Sequence, residues 1–394
     1  MYEGRTGSWI FTSSIIWRVD IMNLLDNISS NEEFLSMKAA SMRIPISGAF
    51  ELLPICNMNC KMCYVRMDPE EMKRKGKLLS VDQWIEIGKQ ARDAGMLYLL
   101  LTGGEPLLYK EFERLYFELC EMGIILVLNT NGTLINEYFA DVLAKNRPRK
   151  VNISLYGGSD ETYDRLCCNP NGFTQVIKGI HLLQKRGIPV KLNCSVTPYN
   201  YDDVHIIQDV ANQLNVPLQF ANYMFPPLKL RNKKVEQIDR LSPRKAAEVF
   251  IETLLYKKSN EEALEIIKER LMRYEKLAKN PLPYHESGFT CYATKNNFWV
   301  NWKGEMTACG MLNKPMKNIL KSNFLEAWNS IGQEGDRLKI REECNNCIKR
   351  SICQFCTASV FAETGEYNEK PTYLCDLADA TLEILQKLYK KYNK

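Results

Sequence analysis

The chain has 394 residues, 45% hydrophobic and 25% charged, an ordinary globular composition with room for two or three domains. A formal net charge of +5 is small for that length and argues against a nucleic-acid-binding surface, and no apolar run is long enough to span a bilayer. Fourteen cysteines in a chain without a small-residue signal cleavage site point to reduced thiols in the cytoplasm, and so to metal ligation before disulfides.

The segment 1–46 opens with "GSWIFTSSIIW", an apolar stretch after Arg5 that Arg18 and Asp20 interrupt; residues 1–21 read as an upstream extension, with Met22 as an alternative start. From residue 48 a βα alternation follows: "GAFELLP", "LYLLLT" (97–102), "IILVLN" (124–129), "VNISLY" (151–156), "VKLNCSVT" (190–197) and "LQFANY" (218–223) read as strands. The first intervening helix starts at a capping box, Ser80 with Gln83, and stops at Gly95. The second carries Phe112, Leu115, Tyr116, Leu119 and Cys120 on one stripe, which places Cys120 in the core.

Six strands separated by helices predict a parallel sheet with right-handed crossovers. Strands of such a sheet buried on both faces are apolar throughout, yet here Val151, Ile153 and Leu155 alternate with Asn152 and Ser154, and Val190, Leu192, Cys194 and Val196 with Lys191, Asn193 and Ser195. One polar face implies a hydrated lumen, and therefore an α/β fold of the open (β/α)6 barrel type, a partial TIM barrel, over 47–230. Residues 231–285 read as a helical bridge preceded by the solvated basic stretch "LKLRNKK" (228–234), 286–378 as a cysteine-rich domain, and 379–394 as a closing helix.

Cys56, Cys60 and Cys63 crowd into the loop after the first strand with C-x3-C-x2-C spacing. Three thiolates hold either a zinc with an open position or three corners of an iron–sulfur cube, and the C-terminal mouth of barrel strands is where active sites lie. The second strand ends in "LTGGEP", whose glycines permit close backbone approach and whose Glu105 is an acceptor for an ammonium group.

Trio and "GGEP" together resemble the radical S-adenosylmethionine (SAM) superfamily. The resemblance implies that Cys56, Cys60 and Cys63 bind a 4Fe-4S cluster whose free iron is chelated by S-adenosyl-L-methionine, and that Gly103, Gly104 and Glu105, followed by Pro106, hold the methionine amine. Ser154 matches a cofactor-contacting position, and one-electron cleavage gives a 5'-deoxyadenosyl radical that takes a substrate hydrogen. Where the family often has an aromatic residue before the third cysteine this chain has Met62, with Tyr64 after it; both are expected against the adenine. Arg165 is the nearest counterpart of an arginine found in some relatives.

Cys291, Cys309, Cys344, Cys347, Cys353, Cys356 and Cys375 follow, with Gly304 between the first two. Alone, C-x2-C-x5-C-x2-C reads as zinc or iron–sulfur ligation. The whole order resembles the SPASM domain of peptide- and protein-modifying radical enzymes, although its last pair encloses two residues where three are usual. The resemblance implies two auxiliary 4Fe-4S clusters, three in all, with Cys291, Cys309 and Cys356 serving one and Cys344, Cys347, Cys353 and Cys375 the other. The first set is a ligand short; His285 is a candidate, an iron open to a substrate thiolate the alternative. Cys194 reads as core, Cys167 and Cys168 as packed or partly exposed, and His181 and His205 suggest no acid–base site.

The expected function is maturation of a ribosomally made peptide (RiPP), forming a thioether or carbon–carbon cross-link. It implies a peptide or protein substrate, an external electron donor such as flavodoxin or ferredoxin, and a separate leader-recognition protein, since 1–46 is short for a leader-binding domain. The alternatives are an anaerobic sulfatase-maturating enzyme, against which Gly310 stands in place of an aspartate, and a non-catalytic iron–sulfur or zinc protein, which leaves "LTGGEP" unexplained.

Overall fold

The computed structural model describes residues 31–226, 239–279, 288–289 and 291–393. Its strands are β1 (Ser47–Glu51), β2 (Tyr98–Thr102), β3 (Ile125–Thr130), β4 (Lys150–Ser154), β5 (Val190–Ser195), β6 (Leu218–Ala221), β7 (Asn297–Val300), β8 (Glu305–Thr307) and β9 (Met316–Asn318). Around β1–β6 lie α1 (Asn31–Met42), α2 (Pro69–Lys75), α3 (Val81–Asp93), α4 (Phe112–Glu121), α5 (Glu137–Lys145), α6 (Asp160–Cys167), α7 (Gly172–Lys185) and α8 (Val204–Gln213). The C-terminal part adds α9 (Pro243–Leu255), α10 (Asn260–Lys279), α11 (Phe324–Asp336), α12 (Glu342–Asn345), α13 (Thr357–Thr364) and α14 (Thr372–Tyr392).

Local chemistry sets the helix starts. Ser80 and Gln83 form the expected reciprocal capping box, while Asn136 and Ser159 accept from the backbone N–H three residues on. The six parallel strands stand in consecutive order, β6-β5-β4-β3-β2-β1, as in a barrel sheet rather than a doubly wound one. Val151, Ile153, Leu155 and Leu192 are fully buried under the helices, while Asn152, Ser154, Lys191 and Asn193 on the other face are half-buried. That polar face is internally bonded: Asn152 donates to Asn129 (2.7 Å) and Lys191 to Gln219 (2.6 Å). Cys120 sits at the edge of the core, half-buried, rather than within it.

The cysteine-rich part expected from 286 onward shares the barrel's sheet. Strand β7 pairs in parallel with β1, Ser47 opposite Asn297 and Phe50 opposite Val300, and β8 and β9 extend the sheet antiparallel to nine strands. The join is tight: the Phe298 ring occupies the space of the missing side chain at Gly48, where a Cβ would lie 2.1 Å from it. Phe298 then packs edge-on against Phe324 and Trp328 of α11, continuing the barrel core into this part.

A second join is polar. Arg240 donates to both carboxylate oxygens of Glu363 on α13 (2.6 and 3.1 Å), Tyr223 beyond β6 donates to Glu363 (2.8 Å), and Arg240 stacks on Tyr373. The closing helix begins at Thr372 and carries Cys375, so it starts inside the expected cysteine-rich domain rather than at 379. The stretch 228–234 and His285 lie outside the described residues. No described helix is long and apolar enough to cross a membrane.

Candidate active site

The loop carrying Cys56, Cys60 and Cys63 leaves the C-terminal end of β1 and is pinned on two sides. Asn59 and Lys61 donate backbone bonds to the carbonyls of Cys167 and Leu166 at the end of α6 (3.0 Å each). On the other side Gly104 N–H donates to Leu53 (2.7 Å) and Glu105 N–H to Ile55 (2.9 Å), lacing the β2 exit to the β1 exit. Contact here is backbone on backbone: a Cβ at Gly104 would stand 2.2 Å from the Ile55 carbonyl oxygen, and one at Gly103 2.6 Å from that of Leu53.

The three thiols form no disulfide and are half-buried. Met58 N–H and Asn131 Nδ2 donate to Cys56 Sγ (3.4 and 3.5 Å), and Arg66 N–H to Cys63 Sγ (3.4 Å). Burial pushes the Cys56 thiol up to about 12, with the charges of Glu105, Cys60 and Cys63 adding to it. Bonding to Cys167, then burial, holds Cys60 well above the usual thiol range. The trio thus lies within mutual electrostatic reach, inside a ring of donors suited to sulfur anions. Cys167 is itself buried beside Cys60, and Cys168 is exposed at the left-handed end of α6.

Glu105 ties neighbouring strand ends together. It is fully buried, accepting from Leu107 N–H (3.1 Å), Thr130 Oγ1 (2.8 Å) and Asn131 N–H (2.8 Å). The carboxylate therefore ties the β2 exit to the β3 exit, and the backbone of the glycine pair is what closes on the trio loop. Burial drives its pKa up to about 7 against these bonds. Thr130 and Asn131 were missed by sequence reasoning; the turn-forming run "NTNGT" (129–133) at a third strand end was the available signal.

Pro106 is buried directly after Glu105, while Met62 packs partly buried against the core and Tyr64 is half-buried. Ser154, half-buried at the end of β4, bonds the Tyr156 side chain, and Tyr156 in turn feels the charges of Cys60, Cys167 and Cys63. Arg165 lies exposed on α6, where its guanidinium donates twice to the carbonyl of Tyr199 (3.1 and 2.7 Å), whose ring lies under Lys61 of the trio loop at 4.0 Å. From β7, Trp299 Nε1 donates to the buried Glu51 at the end of β1 (3.2 Å). Gly310 makes room for that indole, since a Cβ there would be 2.8 Å from its ring.

The later cysteines gather in two sets. Cys309 feels the charges of Cys291 and Cys356; Cys344 feels those of Cys375 and Cys347, and Cys353 likewise. Cys356 caps α13, accepting from Ser359 N–H (3.2 Å), and Cys375 lies in the first turn of α14. Among the described residues, no three His, Cys, Asp or Glu side chains stand close enough to enclose a single metal ion. A 660 Å³ cavity lined by Cys120, Arg147 and Arg149 opens at the opposite, N-terminal ends of the strands. His205 stacks on Tyr256 and pairs with Glu252 on the surface.

Residues 50–210 match the family model of the radical SAM superfamily. The AdoMet-dependent heme synthase of Methanosarcina barkeri is 23% identical over 340 residues, spanning 82% of this chain and 95% of its own. The sporulation killing factor maturation protein SkfB of Bacillus subtilis is 24% identical over 312 residues, spanning 77% and 68% respectively. In fold, the chain is similar to Streptococcus suis SuiB bound to precursor peptide SuiA: TM-score 0.62, 16% identity, covering 94% of this chain and 84% of that one. The matched residues, with the consecutive parallel strands and the thiol trio at their C-terminal end, make residues 50–210 a radical SAM domain, which a C-terminal extension follows.

Proposed function

We propose that the protein matures a ribosomally made peptide by hydrogen abstraction, forming a thioether or carbon–carbon cross-link. The observation that carries this reading is the coupling of the trio site to a cysteine-rich extension built into the same sheet, in a chain similar to a peptide maturation protein over most of its length. When bound, a 4Fe-4S cluster and S-adenosyl-L-methionine supply one-electron chemistry ending in hydrogen abstraction. The donor set fits: a single ion asks for ligands in mutual contact, whereas a four-iron cube spreads its thiolates over its corners.

Within that reading Cys56, Cys60 and Cys63 hold the cluster, and Asn131 and the loop N–H groups bond their sulfurs. The backbone of Gly103 and Gly104 lines the cofactor's methionine end, with Glu105 as the buried tie that sets its position. Met62, Tyr64 and Ser154 lie on the adenosyl side. Cys291, Cys309 and Cys356, and Cys344, Cys347, Cys353 and Cys375, would hold two auxiliary clusters of a SPASM domain, which would supply an acceptor for the electron given up by the substrate radical. A flavodoxin or ferredoxin supplies the first electron.

A second reading has its own support: the heme synthase relative aligns over 95% of its length, which favours a tetrapyrrole substrate. The sulfatase-maturating alternative gains nothing from Gly310, whose position is filled by Trp299. The test is anaerobic incubation of reconstituted protein, S-adenosyl-L-methionine and reductant with peptides encoded beside the gene and, separately, with iron-coproporphyrin. Loss of two hydrogens from a peptide, dependent on the trio, is the expected result; decarboxylation of the porphyrin with every peptide unchanged would overturn it.

A further inference from the structure

Lys191 lies near the start of β5, between Val190 and Leu192, which are buried under the helices; its own side chain therefore faces the barrel interior, where it is half-buried. Strand register sets its neighbours. Lys191 stands level with Asn152 on β4, and Asn152 with Asn129 on β3, while the Ser154–Asn193 pair lies one rung above, toward the C-terminal mouth. One rung is two residues, about 7 Å.

An ammonium group has three donors, and Lys191 uses one on the Gln219 side chain (2.6 Å). Among the described residues no carboxylate pairs with it. The carboxylate that ends β1, Glu51, stands four strands away and accepts from Trp299. The bonding of this wall is also incomplete: Asn152 donates to Asn129, but its own side-chain oxygen is buried with no donor among the described residues. Burial, and then the charge of Lys150 at the foot of β4, hold the Lys191 amine below the usual lysine range. An arriving negative charge would offset both effects.

We propose that Lys191 is a specificity-determining residue whose ammonium receives a carboxylate of the substrate inside the barrel, one rung below Ser154 and Asn193. The inference rests on the proposed function, in which the peptide enters the barrel for hydrogen abstraction; the carboxylate is then an acidic side chain or the C-terminus, close to the residue that is modified. A porphyrin propionate offers the same chemistry. A charge-assisted bond of this kind contributes about tenfold or more to affinity.

The experiment is anaerobic calorimetry on the full-length reconstituted protein with S-adenosyl-L-methionine and no reductant, for wild type, Lys191→Gln and Lys191→Arg. The ligands are the peptides encoded beside the gene, native and with every carboxyl group methyl-esterified, and iron-coproporphyrin with its tetramethyl ester. The expected result is that esterification weakens wild-type binding of the peptide about tenfold or more. Lys191→Gln binds the native peptide as weakly as wild type binds the ester and no longer tells the two apart, whereas Lys191→Arg still does. A lysine that only braced Gln219 would change stability and leave the discrimination intact, so discrimination that persists in Lys191→Gln overturns the proposal. Equal wild-type affinity for peptide and ester overturns it without recourse to any variant, and leaves the peptide reading standing. The same coupled loss seen with the porphyrin and not with the peptide supports the carboxylate site and overturns the peptide reading instead.

Discussion

Glu105 is the residue whose replacement tests the site's construction most directly. Removing it in Glu105→Ala leaves two buried backbone N–H groups and the Thr130 hydroxyl without their acceptor. At about 1–3 kcal/mol for each of the three stranded groups, the loss is about 3–9 kcal/mol, a large part of a domain's total stability. Glu105→Gln keeps the shape and one acceptor oxygen, so its loss is smaller, and it also removes a titration. Because burial raises the Glu105 pKa from 4.5 to about 7, the folded protein binds this proton more tightly than the unfolded chain between those values. Stability therefore falls as pH rises through that window, by about 3 kcal/mol. Urea unfolding of the iron-free protein under reducing, anaerobic conditions at pH 5 and pH 8 reads this directly: wild type is expected to lose about 3 kcal/mol more than Glu105→Gln. Equal pH dependence in the two proteins would refute the account of Glu105 as a buried, titrating tie.

Gly104→Ala places a Cβ where the Ile55 carbonyl stands, so the trio loop has to move by about an ångström. The expected result is unchanged far-ultraviolet circular dichroism with at least a tenfold loss of S-adenosyl-L-methionine affinity, measured by calorimetry. Breaking the buried Arg240–Glu363 pair from either side, by Arg240→Met or Glu363→Gln, is expected to cost about 3–5 kcal/mol, and the double variant far less than the sum. Strict additivity in urea unfolding would show that the pair does not act as a unit. Gly310→Asp, which restores the residue expected in sulfatase maturases, is expected to destabilise by about 1–3 kcal/mol through the Trp299 ring and to yield no formylglycine activity on a sulfatase peptide.

The barrel part of the fold was legible because each of its signals is local. Alternation of Asn152 and Ser154 with Val151 and Ile153 marks one wet and one buried face, and Ser80 with Gln83 starts a helix where it must. What escaped was long-range. Nothing in "NFWV" announces that it will pair with β1, some 250 residues earlier, because register there is set by one aromatic ring fitting over Gly48. The partners Glu105 finds at another strand end, Thr130 and Asn131, lie 25 and 26 residues away and carry no local signal.

The position of β1 between β2 and β7 also fixes an order of events in the cell. The strand that leads into Cys56, Cys60 and Cys63 has its final neighbour on one side by residue 102, but on the other only when residue 300 has left the ribosome. Until then its second edge is bare and its first thiols hang from a half-supported strand. A chain ending before β7 would leave that edge of β1 open to pairing with another chain.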